Sequence, residues 1–202
     1  MRTTGFGGLR IAFDHRVLTP RPWTEIQSRW AAEIAEAAPE GRLLELCSGA
    51  GHIGLLAAVL SGRSLVAVEV DAVACDYLRA NATAAGLADR VEVREGDLCG
   101  VLDADERFPI VIADPPYLPT PAIAAWPEDP PRAIDGGADG LDVARACLAV
   151  AAHHLAEDGD LLLQLADLDQ ADRLLEEADW VDLGRRRAER GVVVRWRRPG
   201  PP

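Results

Sequence analysis

Lysine is absent from the 202-residue chain, so all 21 basic residues are arginine. That excludes every mechanism resting on an amine side chain: a Schiff base, a lysine general base, or the lysine of a phosphate-binding P-loop. No uninterrupted apolar run approaches the roughly 18–20 residues of a membrane-spanning helix. The opening Met1-Arg-Thr-Thr-Gly-Phe-Gly-Gly8 lacks the apolar stretch of a secretory signal. Four cysteines (Cys47, Cys75, Cys99, Cys147) stand far apart with no C-x-x-C pair, so neither a disulfide framework nor a metal site is expected. They read as free thiols in a reducing cytoplasm, with Cys147, in an Ala-rich apolar segment, in the core. Internal repeats and low-complexity blocks are also missing.

What is present fits one globular domain. The chain is 49% hydrophobic, too apolar for disorder, and long enough to bury a full core. A formal net charge of -12 argues against a protein that grips a nucleic-acid backbone. Proline and glycine cluster at 19–22, 114–131 and 199–202, the last being a tail expected to fray. Between these, strand-length apolar runs (42–46, 64–68, 91–93, 108–113, 161–165) alternate with helical patterns (53–60, 72–85, 141–155, 168–178). Such alternation means a parallel sheet with helices on both faces. Two last strands, near 181 and 192–196, are joined by too few residues for a crossover helix and form a hairpin. Ahead of the core, Trp23, Ile26, Trp30, Ile34 and Ala37 give one apolar helix face, with Pro22 in its first turn.

Between the first strand and its helix lies Glu45-Leu-Cys-Ser-Gly49-Ala-Gly51-His-Ile-Gly54, whose glycines spell G-x-G-x-x-G. By itself the pattern serves a nucleotide-type cofactor or an ordinary strand-to-helix turn. Acids at the next two strand ends add to it. Glu69 stands where a carboxylate accepts from both hydroxyls of a ribose, and Asp97, in Gly96-Asp-Leu98, where it holds an adenine amino group. A dinucleotide and S-adenosylmethionine (SAM) both fit this much. Glu45 separates them, because it would repel a pyrophosphate but orient the ammonium of SAM. The closing hairpin agrees, since methyltransferase sheets typically end with an antiparallel strand.

Asp114-Pro-Pro-Tyr117 follows a central strand, at the sheet end where open parallel sheets bind ligands. Methyl transfer from a sulfonium is a direct displacement, so alignment is the main task. A nitrogen nucleophile must aim its lone pair at the methyl and its N–H bonds elsewhere. The Asp114 side chain and a neighbouring carbonyl can accept those N–H bonds, while Pro115 and Pro116 stiffen the loop. Tyr117 can stack on a planar amide or base. An Asp-Pro-Pro turn without chemistry is the plain alternative.

Leu44-Glu-Leu-Cys-Ser-Gly-Ala-Gly51 resembles the first SAM-binding motif of class I methyltransferases, D/E-x-G-x-G-x-G, with Cys47 where the first Gly is usual. Asp114-Pro-Pro-Tyr117 resembles the N/D-P-P-Y motif of nitrogen-directed members. Its Asn form is typical of protein-glutamine N5-methyltransferases, the HemK/PrmC group; its Asp form is commoner in enzymes acting on base amines of DNA or RNA. Two flanks resemble the glutamine group. Val17-Leu-Thr-Pro-Arg-Pro-Trp-Thr-Glu25 is similar to V-L-I-P-R-P-x-T-E, and Pro131-Arg-Ala-Ile-Asp-Gly-Gly-Ala-Asp-Gly-Leu-Asp142 to E-P-x-x-A-L-x-G-G-x-D-G-L-D. The resemblance covers about residues 14–178.

It implies a Rossmann-like α/β fold, a mainly parallel seven-stranded sheet with an antiparallel last strand and helices on both faces. An arm and helix would occupy 1–40, the SAM-dependent methyltransferase domain 41–198, and a disordered tail 199–202. SAM would be held by Glu45, Cys47, Ser48, Gly49, Ala50, Gly51, Glu69, Val70, Asp97, Leu98 and Asp114. Asp114, Pro115 and Tyr117 would be catalytic, and Arg21, Asp114, Pro115, Pro116 and Tyr117 would meet the acceptor. That acceptor is a glutamine side chain of a protein, or a related small amide or amine. An RNA or DNA exocyclic amine is the alternative, and a SAM-binding scaffold without catalysis a further one. A carboxylate at 114 accepts N–H bonds more strongly than an amide but cannot donate. It suits an amine or amidine-like donor at least as well. Only about 40 residues precede the core, too few for the helical substrate domain of bacterial release-factor enzymes, which opens the acceptor to something other than release-factor glutamine.

Several residues carry two readings. Arg21 and Glu25 either fold over the site mouth or form an ion pair, and Trp126 either lines a pocket or packs its loop. His52 starts a helix, with a catalytic role as the lesser alternative, and His153 and His154 lie on a helix surface near its end. Arg185, Arg186, Arg187, Arg190, Arg195, Arg197 and Arg198 are strand-edge charges, with a nucleic-acid patch as the alternative.

Overall fold

Side chains alternate across each central strand, and that alternation decides which helix layer each one meets. The computed structural model describes residues 1–200; the last two residues of the tail, expected to fray, lie outside the described residues. Strands β1 (Arg2–Phe6) and β2 (Leu9–Phe13) pair as an antiparallel hairpin. A 3-10 turn, Pro22–Thr24, leads into α1 (Glu25–Ala35). Then come β3 (Leu43–Leu46), α2 (His52–Ser61), β4 (Leu65–Glu69), α3 (Ala72–Ala84) and β5 (Val91–Glu95). After β6 (Phe108–Ala113), a 3-10 segment, Thr120–Ala125, precedes the short α4 (Pro131–Ile134) and α5 (Asp142–His154). β7 (Leu155–Leu165), α6 (Leu168–Glu177), β8 (Val181–Arg187) and β9 (Val192–Arg197) follow.

The main sheet has seven strands in the order β5-β4-β3-β6-β7-β9-β8. Every pair is parallel except the two made by β9. This is the expected fold: a parallel sheet, one reversed strand, and helices on both faces. Leu43, Leu65, Ile110 and Leu162 pack with α1, α2 and α3 on one face. Their neighbours Leu44, Val66, Val111 and Leu161 pack with α5 and α6 on the other, and Cys147 is fully buried there. No helix among the described residues is long and apolar enough to cross a membrane.

Four features differ from the sequence reading. The arm is a hairpin, turned at Gly7 (φ 55°) and Gly8 (φ 93°), which the two glycines between alternating runs would have signalled. Its Phe6 and Ile11 join the same core as α1. Helix α1 starts at Glu25, not Trp23, and buries Gln27 and Ser28 beside Trp30, Ala31 and Ile34. Those polar groups can be buried because their donors meet backbone carbonyls of the sheet and of α2. Gln27 Nε2 donates to the carbonyls of Ala113 (2.9 Å) and Leu162 (3.0 Å), and Ser28 Oγ to that of Ile53 (2.8 Å). β7 begins six residues early, its period hidden by an irregularity near Asp158 (φ 58°) and Gly159. His153 is exposed as expected, but His154 is buried, its Nδ1 3.0 Å from the Glu106 carbonyl.

Candidate active site

Two cavities open at the carboxyl ends of the central strands, one of about 620 Å³ and one of about 160 Å³. They share Leu18, Asp114, Pro116 and Ala133, so Asp114 stands where they meet.

Cys47, Ser48, Gly49, Ala50, Glu69, Val70, Asp97, Leu98 and Asp114 all line the larger cavity. Glu69 ties the walls together. Its Oε2 accepts from Gly49 N–H (2.7 Å), and its Oε1 from the N–H groups of Val70 and Asp71 (both 2.9 Å). Asp97 Oδ1 accepts from Cys99 N–H at 3.0 Å. Cys47 has φ 59°, the left-handed region, which explains why glycine is usual in the resembling motif. Holding a side chain there costs roughly 1–2 kcal/mol.

Gly51 and Glu45 lie outside this wall. Gly51 (φ 84°) turns beneath it, where an added Cβ would come within 2.6 Å of Leu78 Cγ on α3. Glu45 was expected beside the cofactor's ammonium; strand alternation instead points it at α2. Its Oε1 accepts from Gly54 N–H (2.8 Å), and its buried Oε2 has no partner. Burial pushes its carboxyl up to about 8, with the Gly54 N–H opposing, so at neutral pH it is mostly a neutral acid. Its place is a latch under the glycine turn.

The smaller cavity is the candidate acceptor chamber. Arg21, Trp23, Pro115, Pro116, Tyr117 and Trp126 line it, with Asp129 and Arg190. Burial pushes the Asp114 carboxyl up to about 7, against the pull of the Arg21 guanidinium. Burial, aided by the Asp114 charge, pushes the Tyr117 hydroxyl up to about 12, so it stays protonated. Arg21 pairs with buried Asp129 and stacks over Trp23, 5.7 Å from the ring centre. It does not pair with Glu25, which pairs with Arg29.

The 131–142 segment is the scaffold of the tetrapeptide. Leu118 N–H donates to the Ile134 carbonyl (3.0 Å), Gly136 N–H to that of Leu118 (2.8 Å), and Gln170 Nε2 to that of Tyr117 (2.9 Å). A Cβ at Gly136 would lie 2.7 Å from the Pro116 carbonyl oxygen, so only glycine allows this approach. Trp126 does line the chamber. The C-terminal arginines divide: Arg185, Arg186 and Arg187 lie on the edge strand β8, whereas Arg195 and Arg197 pair with buried Asp160.

Four residues that line the cavities were not given a site role as their leading sequence reading. His52 lines the larger cavity, edge-on to Phe6 (4.9 Å) and 3.4 Å from Thr24 Oγ1. Burial holds it neutral, pushing its imidazolium down to about 3. Trp23 was absorbed into the helix face, although its flanking prolines fit a turn. Asp129 and Arg190 had no local signal, because only the tertiary fold brings them to Trp23.

Known proteins are similar to this chain in sequence and in fold. The chain is 38% identical over 165 residues to the release factor glutamine methyltransferase of Deinococcus radiodurans, covering 79% of this chain and 58% of that protein. It is 34% identical over 171 residues to the ribosomal protein uL3 glutamine methyltransferase of Bradyrhizobium diazoefficiens, covering 78% and 53%. It therefore spans little more than half the length of these relatives. An RNA methyltransferase from Salinibacter ruber, solved with S-adenosyl-L-homocysteine, superposes with a TM-score of 0.60 at 23% identity, covering 89% of this chain and 92% of that one. The family described as conserved hypothetical protein 95 matches residues 19–125, more than half of the sequence. The chain belongs to that methyltransferase family, and its fold is the Rossmann-like one of class I methyltransferases.

Proposed function

We propose that this chain is a SAM-dependent N-methyltransferase acting on the side-chain amide of a protein glutamine, or on a closely related amide or amine. The carrying observation is Asp114, a half-buried acceptor at the junction of a cofactor-sized cavity and a small aromatic chamber. The larger cavity fits the cofactor, since about 620 Å³ is within the usual range for such sites. Glu69 Oε2, which accepts only from Gly49 N–H, keeps a lone pair for a ribose hydroxyl, and Asp97 stands exposed for an adenine amine. The Ser48-Gly-Ala50 backbone, with Cys47, Val70 and Leu98, completes the wall. When bound, SAM supplies an electrophilic methyl group.

The chain's own work is alignment. Ionised Asp114 accepts one N–H of the acceptor, turning the nitrogen lone pair towards the larger cavity. Pro115 and Pro116 hold the loop rigid and bring no N–H to compete for acceptors. Tyr117 offers a flat face and a protonated hydroxyl, and Arg21, fixed by Asp129, closes the side wall. Relatives named for glutamine methylation of a release factor and of a ribosomal protein support a protein acceptor. The Salinibacter ruber structure supports the cofactor. A base amine is a second reading, favoured by Asp rather than Asn at 114 and opposed by the net charge of -12. We place the activity in the cytoplasm, where the four free thiols stay reduced.

The test compares Asp114→Ala and Asp114→Asn with the parent for SAM affinity and for turnover on glutamine peptides and amines. Asp114→Ala should lower kcat about 100-fold or more, with a smaller loss of SAM affinity. Asp114→Asn should retain part of the rate. Parental turnover in both would remove Asp114 from the chemistry.

A further inference from the structure

Arg190 overhangs the acceptor chamber without a task in the account above. It lies in the turn between β8 and β9, and the sheet register fixes where that turn hangs. Val192 faces Leu165, so the turn projects past the carboxyl end of β7, the neighbour of the strand that carries Asp114. Gly191 (φ 81°) clamps it there: an added Cβ would come within 2.5 Å of the Leu165 carbonyl oxygen. The guanidinium reaches two rings from distant segments, 5.6 Å from the centre of Trp23 and 5.4 Å from that of Trp126. Its positive field, with that of Arg21, acts on the Tyr117 hydroxyl.

Its charge has no partner among the described residues. Arg21 is taken by Asp129, Arg185 by Asp172 and Asp182, and Arg186 by Glu33. Among the described residues, Arg190 makes no ion pair or side-chain hydrogen bond. Two indole faces thus orient a fork of N–H donors that still has its hydrogen-bonding capacity, and a planar carboxylate is its natural complement. The charge of the molecule narrows the choice of anion. An excess of acids repels a long polyanion, whereas one carboxylate responds to charges within about 8 Å.

We propose that Arg190 is a specificity-determining residue selecting peptide acceptors with a carboxylate side chain beside the methylated residue. The choice of glutamine as the methylated residue rests on the reading above; the choice of a carboxylate neighbour does not.

The test uses the full chain and three capped pentapeptides with a central Gln flanked by Glu, Ala or Arg. Affinity is read by tryptophan fluorescence in the presence of S-adenosyl-L-homocysteine, and kcat/KM with methyl-labelled SAM. The Glu-flanked peptide should bind about tenfold tighter than the Ala-flanked one, or about 1.4 kcal/mol. Arg190→Gln should abolish that ratio, and Arg190→Lys should restore only part of it, since an ammonium lacks the planar fork. Equal affinity for Glu and Ala peptides, or an undiminished preference in Arg190→Gln, overturns the proposal. So does Arg190-dependent binding of a single-stranded RNA oligonucleotide tighter than that of the Glu peptide. An acid preference in binding without methyl transfer upholds the role of Arg190 and refutes the glutamine reading. Methyl transfer without any acid preference does the reverse.

Discussion

In the proposed reaction Asp114 works under two opposed demands. It must be ionised to accept an N–H, yet its surroundings push its carboxyl up to about 7 through lost hydration. Below that value the free protein carries a protonated Asp114, which offers a donor where an acceptor is needed. The rate at subsaturating SAM should therefore rise with pH through about 7. At saturating SAM the acid limb should move lower, because a cationic ligand in the adjoining cavity favours the carboxylate. An amide has no such titration, so Asp114→Asn should lose the limb while keeping residual turnover. A pH–rate series on both proteins checks this; the same limb in Asp114→Asn would assign it elsewhere.

At the scale of elements, the glycine turn and α2 depend on one packed pair. Inside a helix, Gly→Ala ordinarily stabilises by about 0.5–1 kcal/mol. At Gly54 the sign should reverse, because the new Cβ would fall 2.7 Å from Glu45 Cδ and 2.9 Å from Leu65 Cδ2. Overpacking of this kind costs about 1–3 kcal/mol. Glu45→Ala makes room, so the double variant should be less destabilised than the sum of the singles, a coupling that denaturant melts can measure. Additive losses would show that the two side chains do not meet. Gln27 is a second support, holding α1 to the carbonyl just before Asp114. Gln27→Leu removes two buried hydrogen bonds, to the Ala113 and Leu162 carbonyls, and should cost about 1–2 kcal/mol by the same melts.

These pairs also show what could be read from the sequence. β3, β4 and β6 were legible because apolar runs of strand length end at glycine, acid or proline signals. The tetrapeptide and glycine loop were legible because chain order puts them at adjacent strand ends. The direction of Glu45 was available too, since Leu44 and Leu46 face the opposite layer, but a charge beside a glycine loop suggested a ligand first. Gln27 and Ser28 were hidden because a polar residue that satisfies a buried carbonyl looks like a solvated one. Of the chamber roof only Trp126 was legible as a pocket candidate, for Trp23, Asp129 and Arg190 lie far apart in the chain and converge only in the folded structure.

For the whole molecule, burying Glu45 ties stability to pH. Its folded-state carboxyl titrates at about 8, above the ordinary 4.5. Between those values the folded chain holds a proton that the unfolded chain has lost, so stability falls as pH rises through that window. Glu45→Gln should flatten this slope in thermal melts. An unchanged slope would mean that the carboxyl is ionised when folded, against its burial. Opposing it below about pH 4, ion-paired acids such as Asp14 and Asp139, held well under the usual carboxylate range, lose their partners' stabilisation on protonation.

The central claim is that two cavities meeting at Asp114 bring a methyl donor to an amide nitrogen. Its most direct test is to incubate the purified chain with methyl-labelled SAM and cell extract, digest the labelled species, and locate the methyl group by mass spectrometry. The account predicts label on protein, on a glutamine side-chain nitrogen, deposited about 100-fold more slowly, or slower still, by Asp114→Ala. Label confined to RNA or DNA, or tight SAM binding with no label transferred to any acceptor, would contradict it.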